Sequence, residues 1–316
     1  MPNLKSVCCH LALVFVLLMG ASQSSLATDL TIGKNLQLGD KLLSAEAKLK
    51  GFCRNITVLD TASPRFPLAA NKEQHLICDH YNDSDLTFGR AVLVIADGKF
   101  VQLEAIDVSV QPLKKVLGET SSRYLDMNIY AKGTYWLDES SARFVWLHEN
   151  AKHPNLFSWH NPYLTASEFQ PLPASIEIPA LLDFDQDLEE LKPLFTKQCS
   201  QIRQERHAEV WLLNKPEVQI QVNCFGYLFA GFERKFEAVF GDGSLQLVWI
   251  LTAKAEEPRL RELLVKRWGE PETNTDKWEV YGGGRISLRK DKPELLVLSD
   301  QMIPLYRSKL ESEKVD

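Results

Sequence analysis

Two stretches of the chain place an Asp-Gly pair between runs of mostly apolar residues. Residues 92–103 read VLVIADGKFVQL, and residues 238–249 read AVFGDGSLQLVW. Asp-Gly between apolar strands is the strongest short-range signal for a β-hairpin, because a tight turn of this type needs residues that accept positive φ. The sequence therefore predicts two hairpins, with turns at Asp97 and Asp242.

The two hairpins belong to an internal repeat. An offset of 145 residues aligns the two turns, an offset of 146 aligns two pairs of cysteines, and an offset of 151 aligns residues 118–147 with residues 269–298. Matches in one order at a nearly constant offset are the mark of a duplicated unit. We therefore predict two tandem copies of one domain.

Helical periodicity surrounds the hairpin in each copy. Apolar residues at helical spacing predict two helices per copy: residues 39–50 and 111–117, and residues 185–197 and 257–268. Pro193 predicts a kink or a break in the third of these helices. Gly118 and Gly269 stand where glycine commonly ends a helix.

The remaining segments are predicted to be strands. They comprise residues 55–59, 74–80, 127–137 and 143–148 in the first copy, and residues 208–213, 217–225, 278–288 and 295–298 in the second. In residues 217–225 apolar positions alternate with Gln219, Gln221 and Asn223. Because Cys224 must reach the end of a helix to bond Cys199, the apolar face is expected to pack on the helices and the amide face to point away. We predict an α+β fold of two tandem units, each an antiparallel sheet with helices packed on one face and one disulfide.

The N-terminal residues have the composition of a secretory signal peptide. Lys5 precedes the apolar run of residues 11–19, and Ser25 and Ala27 supply small residues at the cleavage positions. The apolar run is shorter than a membrane span. The predicted organisation is a signal peptide (1–27), a first repeat domain (28–149), a Pro- and aromatic-rich linker (150–182), a second repeat domain (183–306) and a charged tail (307–316).

The linker contains four aromatic residues, which we expect to pack on a domain surface: Phe157, Trp159, Tyr163 and Phe169.

The cysteines favour disulfides over a metal site. Four of the six lie outside the predicted leader, and the separation from Cys53 to Cys78 equals that from Cys199 to Cys224. An even number of cysteines in an exported chain is typical of disulfides. We predict Cys53–Cys78 and Cys199–Cys224. A zinc site is disfavoured because no close Cys-x-x-Cys spacing is present. Export to the periplasm is the expected localisation, with the extracellular space as the alternative.

Charge and motifs exclude several functional classes. The formal net charge is −6 and no block of basic residues occurs, which argues against nucleic acid or an anionic membrane as the partner. The sequence contains no second apolar run long enough for a membrane span, no Gly-x-Ser-x-Gly elbow, no phosphate loop and no metal-binding motif. The spacings of His148, His153 and His160 fit no common metal site. We therefore predict no catalytic residue, metal or cofactor.

One segment of the second copy resembles a known pattern. Residues 266–271 (KRWGEP) and 277–288 (KWEVYGGGRISL) are similar to small exported bacterial α/β modules, namely the outer-membrane assembly lipoprotein fold and the β-lactamase inhibitor protein fold. The latter is a disulfide-bearing tandem repeat. The matching residues are Gly269, Pro271, Trp278 and Tyr281; the first copy has Thr120 where the proline would stand. The resemblance implies a protein-binding scaffold and assigns no functional residues.

These observations favour an exported, soluble, non-enzymatic protein that binds another protein or a peptide through its sheet faces. The predicted binding face carries Gln219, Gln221 and Asn223, with Phe225 and Tyr227 at its edge, because amides and aromatic anchors suit an interface. The alternative is a hydrolase-like enzyme or a small-ligand binder with its site in a cleft between the two copies.

Overall fold

The structure is a computed structural model of the chain. It describes residues 30–61, 63–148, 156, 159–166, 184 and 186–312. The predicted signal peptide, most of the predicted linker, and its aromatic residues Phe157 and Phe169 lie outside the described residues.

The two copies share one order of elements. The first runs α1 (Leu42–Leu49), β1 (Cys53–Asp60), β2 (Glu73–Asn82), β3 (Thr87–Ala96), β4 (Lys99–Ile106), α2 (Val110–Leu117), β5 (Ser122–Tyr124), β6 (Met127–Tyr130), β7 (Tyr135–Asp138) and β8 (Arg143–Leu147). The second runs α3 (Leu188–Gln198), β9 (Gln201–Arg206), β10 (Gln219–Phe229), β11 (Phe232–Gly241), β12 (Ser244–Leu251), α4 (Glu257–Trp268), β13 (Thr273–Asn274), β14 (Trp278–Tyr281), β15 (Ile286–Arg289) and β16 (Glu294–Leu298), followed by α5 (Ile303–Ser312).

Each copy forms one antiparallel sheet of eight strands. Sheet 1 has the order β1-β2-β3-β4-β8-β7-β6-β5, and sheet 2 has the equivalent order β9-β10-β11-β12-β16-β15-β14-β13. Both sheets also have a register shift at the same place before the Asp-Gly turn, after Val94 in sheet 1 and after Val239 in sheet 2. The predicted duplication is confirmed, although the units contain more sheet and less helix than the sequence indicated.

Both predicted disulfides are confirmed. Cys53–Cys78 and Cys199–Cys224 each join Cα atoms 5.4 Å apart. In the first copy the bond joins the start of the edge strand to the second strand of the sheet. In the second copy it joins the end of the helix before the edge strand to the second strand. The sequence could predict the pairing because both partners lie within one copy.

Helices α1 to α4 lie on what we call the inner face of each sheet. Leu49 of α1 and Leu113 of α2 pack on sheet 1, and Leu191 of α3 and Leu264 of α4 pack on sheet 2. These leucines are buried, and they are the apolar positions that recur at helical spacing. Among the described residues, no helix is both long and apolar enough to cross a membrane.

Helix α5 corrects two predictions. It packs on the opposite, outer face of sheet 2, where its Tyr306 and Leu310 and the preceding Met302 form one buried cluster with Val239 and Leu247, so the helices are not confined to one face. The predicted tail of residues 307–316 begins inside this helix, and Leu310 is only 2% exposed. This segment carries an apolar stripe at helical spacing, and the stripe packs on the sheet. The prediction of a tail missed it because it relied on the charged composition of the segment as a whole.

Two further local predictions are wrong. Residues 208–213 are not a strand; the edge strand is β9, whose sequence QIRQER lacks an apolar alternation because most of it is exposed. Helix α3 is not broken at Pro193, which lies on the exposed side of the helix. The helix begins at the N-cap Asp187, whose carboxylate accepts a hydrogen bond from the Glu190 amide while the Glu190 side chain bonds the Asp187 amide.

Candidate functional site

The predicted binding face is mostly buried. Gln219, Gln221, Asn223 and Phe225 lie on the outer face of sheet 2, but only Gln221 among them keeps a half-buried side chain. Tyr227 lies on the inner face, where its ring packs against Phe236. The five residues therefore do not form one exposed surface.

A bulge explains the position of Tyr227. The register of β10 shifts between Cys224 and Tyr227, and Gly226 has a φ of 75°. A residue at positive φ interrupts the alternation of side chains, so that residues two apart lie on opposite faces. His80, with a φ of 50°, occupies the same place in β2. The register of β2 does not shift at His80, so the bulge belongs to β10, and a simple period of two could not reveal it.

The amides of the predicted face satisfy each other and the backbone. The Gln219 Oε1 atom accepts hydrogen bonds from the amides of Trp211 and Leu212, both at 3.0 Å. Gln221 donates to Asn223 at 2.8 Å. These side chains organise the loop before β10, which is the expected role of a buried amide.

A segment of the linker covers the outer face of sheet 1. We call residues 159–166 the strap. Trp159 and Tyr163 are 7% and 3% exposed, and Tyr163 and Leu164 pack with Ile77 and Val92 of the sheet. The prediction that linker aromatics pack on a domain surface is confirmed for Trp159 and Tyr163.

Charged side chains of sheet 1 hold the strap by its backbone. Arg143 donates to the carbonyl of Trp159 at 2.8 Å, and Arg90 donates to the carbonyl of Tyr163 at 3.0 Å. Glu104 accepts a hydrogen bond from the amide of residue 161 at 2.7 Å. Contacts of this kind recognise a peptide backbone rather than particular side chains.

A buried polar chain continues from the strap into the sheet. The Asn161 amide group lies 3.1 Å from Nδ1 of His75, and Nε2 of His75 lies 2.7 Å from Glu73. Because a carboxylate only accepts, Nε2 of His75 is the donor to Glu73. Burial raises the pKa of Glu73, but hydrogen bonds from His75 and from the amides of Arg65 and Phe66 outweigh it and hold the pKa below the ordinary value.

Glu104 and Arg143 form a buried ion pair beneath the strap. Arg143 Nε lies 2.6 Å from Glu104, whose side chain is 1% exposed. Burial raises the pKa of Glu104. The charge of Arg143 and the hydrogen bonds from His160 and the Asn161 amide lower it by more, so that the pKa lies below its usual range. The sequence offered no signal for this pair, because its partners are far apart in the chain.

The second copy also closes over the outer face of sheet 1. Phe232, at the tip of the β10–β11 hairpin, packs against Phe66 and Trp159 with ring centroids 6.1 and 5.0 Å away. Arg259 of α4 donates to the carbonyls of Phe66 and Ala69 at 3.0 and 2.7 Å. The two copies are thus joined by aromatic packing and by a cation that binds carbonyl groups.

A small cleft lies between the copies. Its volume is about 130 Å³, and it is lined by Asp126, Met127, Asp138, Arg143, His160, Ser200 and Gln201. The Asp138 carboxylate already accepts hydrogen bonds from Ser140 and Ser141. Among the described residues, no three His, Cys, Asp or Glu side chains are grouped to hold a metal ion. An enzyme or small-ligand site between the copies would have to lie here, and the cleft is smaller than the roughly 300 Å³ at which ligand pockets begin.

The outer face of sheet 2 has a partly open region that we call the Trp249 patch: Gln221, Glu237, Trp249 and Arg289, all half-buried. The guanidinium of Arg289 lies 5.9 Å from the ring centre of Trp249 and 5.2 Å from that of Trp278. Glu237 is paired with Trp249 across β11 and β12. The patch borders the surface that α5 covers, with Trp249 at the margin of that contact.

The chain is therefore a duplicated antiparallel α+β protein with one disulfide per copy, in which the first sheet carries a segment of the same chain on its outer face. Comparisons with protein-family models, curated proteins and solved structures find no match to this chain.

Proposed function

We propose that the protein is an exported, non-enzymatic binding protein that takes an extended segment of a partner protein on the Trp249 patch. The observation that carries this proposal is the strap. Sheet 1 uses its outer face to hold a peptide segment through backbone hydrogen bonds, and sheet 2 repeats the same fold.

The patch occupies the place in sheet 2 that lies under the strap in sheet 1. Val92 is paired with Glu104 in sheet 1, as Glu237 is paired with Trp249 in sheet 2, at the offset that aligns the two Asp-Gly turns. Glu104 bonds the strap directly. By this equivalence, a partner segment crosses sheet 2 over Glu237 and Trp249.

The chemistry of the patch suits a peptide. Trp and Arg dominate the energetics of protein interfaces, since they combine a large contact area with directional hydrogen bonding. Glu237 pairs with Lys235 at 2.7 Å, and its carboxylate retains further acceptor capacity for backbone amides of the partner. We infer an extended partner segment with at least one apolar or aromatic side chain to pack on Trp249.

Export is part of the proposal. Both disulfides support an oxidising compartment, since such bonds persist there and are rare in the cytosol. We propose the periplasm, with the extracellular space as the alternative. A protein-binding role also agrees with the resemblance of residues 266–288 to exported bacterial modules.

The alternative function is a hydrolase-like activity or small-ligand binding in the cleft between the copies. The convergence of Asp126, Arg143 and His160 on that cleft favours it. Arg143 is already committed to Glu104 and to the strap carbonyl, which supports a structural role for this side of the cleft.

Selection from a displayed library of extended peptides, followed by titration of the selected peptides, tests the proposal. Trp249→Ala is expected to weaken binding at least tenfold. Trp211→Ala, which removes a tryptophan that is 37% exposed elsewhere in the same copy, is expected to leave it unchanged. Selection of no peptide, or equal loss with both variants, would count against the patch. Loss of binding with His160→Ala but not with Trp249→Ala would favour the cleft.

A further inference from the structure

Strand β1 is an edge strand with one free side. Among the described strands it pairs only with β2, and an isolated bridge joins its first residue, Cys53, to Lys50. The amide of Thr61 donates to the carbonyl of Glu73 across this pair, and backbone groups along a strand alternate in direction. From Asn55 to Thr61 the odd-numbered residues therefore bond to β2. At the start of the strand the alternation changes phase, because the amide of Asn82 donates to the carbonyl of Phe52. The N–H and C=O groups of Ile56, Val58 and Asp60 point away from the sheet.

The sequence of β1 is complementary to itself. If a second copy of the strand runs antiparallel about a two-fold axis through Thr57, Arg54 faces Asp60 of the other molecule and Ile56 faces Val58. Ile56 and Val58 lie on the inner face, where both pack in the inner core, and Asp60 continues their alternation; Arg54 is exposed. Opposite charges and apolar pairs directly across two strands each stabilise a sheet.

The direction of the hydrogen bonds agrees with this register. The backbone groups of Ile56 and Val58 point outward. Ile56 of each molecule can therefore exchange two N–H···O hydrogen bonds with Val58 of the other. Thr57, exposed on the other face, then meets its own copy in the close pair that lacks direct hydrogen bonds. In a register shifted by one residue, residues whose N–H and C=O groups point outward would face residues whose groups point toward β2, and the hydrogen bonds would not form.

We propose that two molecules of this protein pair edge to edge through β1, about a two-fold axis at Thr57, and form one continuous sheet of sixteen strands. The occupant of the edge is a second copy of the chain. This inference goes beyond the proposed function, since the Trp249 patch belongs to the other sheet.

The equivalent edge of sheet 2 lacks this complementarity. Strand β9 has six residues against eight in β1. Its outward groups belong to even-numbered residues, because His207 donates to the carbonyl of Gln219. The position equivalent to Thr57 is Arg203, and an axis there would set Ile202 against Gln204 and Arg203 against its own copy. The repeat therefore provides an internal control with the same topology and a different edge sequence.

Charges on an edge strand also act to prevent pairing, so the experiment must separate the two roles of Arg54 and Asp60. Sedimentation equilibrium of the chain without its leader is expected to give twice the chain mass. Arg54→Asp is expected to halve the mass, and the swap Arg54→Asp with Asp60→Arg is expected to restore the dimer. Arg203→Asp on β9 is expected to leave the dimer intact. A wild-type monomer at every concentration tested, or a swap variant that stays monomeric while folded, overturns the proposal.

A covalent test does not depend on charge. Thr57→Cys places two thiols opposite each other in the close pair of the two-fold axis, a separation that a disulfide spans. Oxidation is expected to give a covalent dimer on a non-reducing gel. Gln204→Cys, an exposed position at the centre of β9, is the matched control and is expected to stay monomeric on the gel. Equal cross-linking at both positions, or none at Thr57→Cys, contradicts pairing through β1.

Discussion

Asp97 and Asp242 tie equivalent hairpin turns to equivalent loops in the two copies. The carboxylate of Asp97 accepts hydrogen bonds from the amides of Ala70 and Asn71 at 2.8 Å and of Lys72 at 2.9 Å. The backbone amide of Asp97 also donates to the carbonyl of Lys72. The carboxylate thus holds the loop that leads into β2.

The second copy repeats this arrangement. Asp242 accepts hydrogen bonds from the amides of Val218 at 2.8 Å and Glu217 at 3.2 Å, and its own amide donates to the carbonyl of Val218. Both aspartates have positive φ, 47° and 48°. The aspartate therefore serves the turn with its backbone and the neighbouring loop with its side chain.

Removal of the Asp97 carboxylate is expected to destabilise the fold. Asp97→Ala leaves three loop amides without their acceptor, and we expect a loss of about 1–2 kcal/mol in the free energy of unfolding, as for a lost helix cap. Urea denaturation monitored by circular dichroism measures it. Glu262→Ala, at an exposed helical position, is the control and should change the free energy by less than about 0.5 kcal/mol. Equal effects of the two variants would disprove the role of the carboxylate.

The ion pair between Glu104 and Arg143 is expected to be costly to break from one side. Arg143→Leu leaves a buried, uncompensated carboxylate, and we expect a loss of about 3–5 kcal/mol. Adding Glu104→Leu should recover much of that loss, because the buried charge disappears with its partner. Lys114→Ala, which breaks a pair with about one third of each side chain exposed, should cost less than about 1 kcal/mol. A double variant no more stable than Arg143→Leu would contradict this account.

Glu73 makes stability depend on pH in the acid range. Its pKa is lower in the folded chain than in the unfolded chain, so its contribution is complete above the unfolded value of about 4.3. The contribution is lost as the pH falls through the lower folded value. We expect the urea midpoint to fall below about pH 4 and to fall less steeply in Glu73→Gln. Parallel pH profiles of the two proteins would exclude Glu73 as a source.

The disulfide of the second copy is expected to stabilise that copy strongly. Cys199 and Cys224 are separated by 25 residues, for which the chain-entropy model gives about 3–4 kcal/mol. The double substitution Cys199→Ser with Cys224→Ser should lower the melting temperature measured by calorimetry. Reduction of the wild type should lower it further, since Cys53–Cys78 is then lost as well. A melting temperature that is insensitive to reduction would show that the bonds add no stability.

The sequence predicted the features that depend on neighbours in the chain. The Asp-Gly turns, the boundaries of α4, the C-terminal glycines of α2 and α4, and both disulfides follow from local pattern or from matched spacing. Helical periodicity also predicted α3, whose Leu188, Leu191 and Phe195 are buried. Each of these signals lies within a single turn, helix or copy, so no knowledge of the packing was needed.

Features that depend on which surface is covered could not be predicted. The sequence indicated that the face bearing Gln219 and Asn223 points away from the helices, but not that both side chains would be buried. Strand β9 was missed because an exposed edge needs no apolar alternation, and Tyr227 changed face because of the bulge at Gly226.

The sequence by itself determined that this protein is two disulfide-bonded copies of one antiparallel unit, because duplication and spacing are properties of the chain. Only the tertiary structure decided that the strap crosses sheet 1 while α5 crosses sheet 2. That difference rests on contacts between residues far apart in the chain, such as Arg90 with Tyr163. The apolar residues on the outer face of each sheet are stabilised by burial. The segment that buries them is the one whose position in the folded chain brings it to that face.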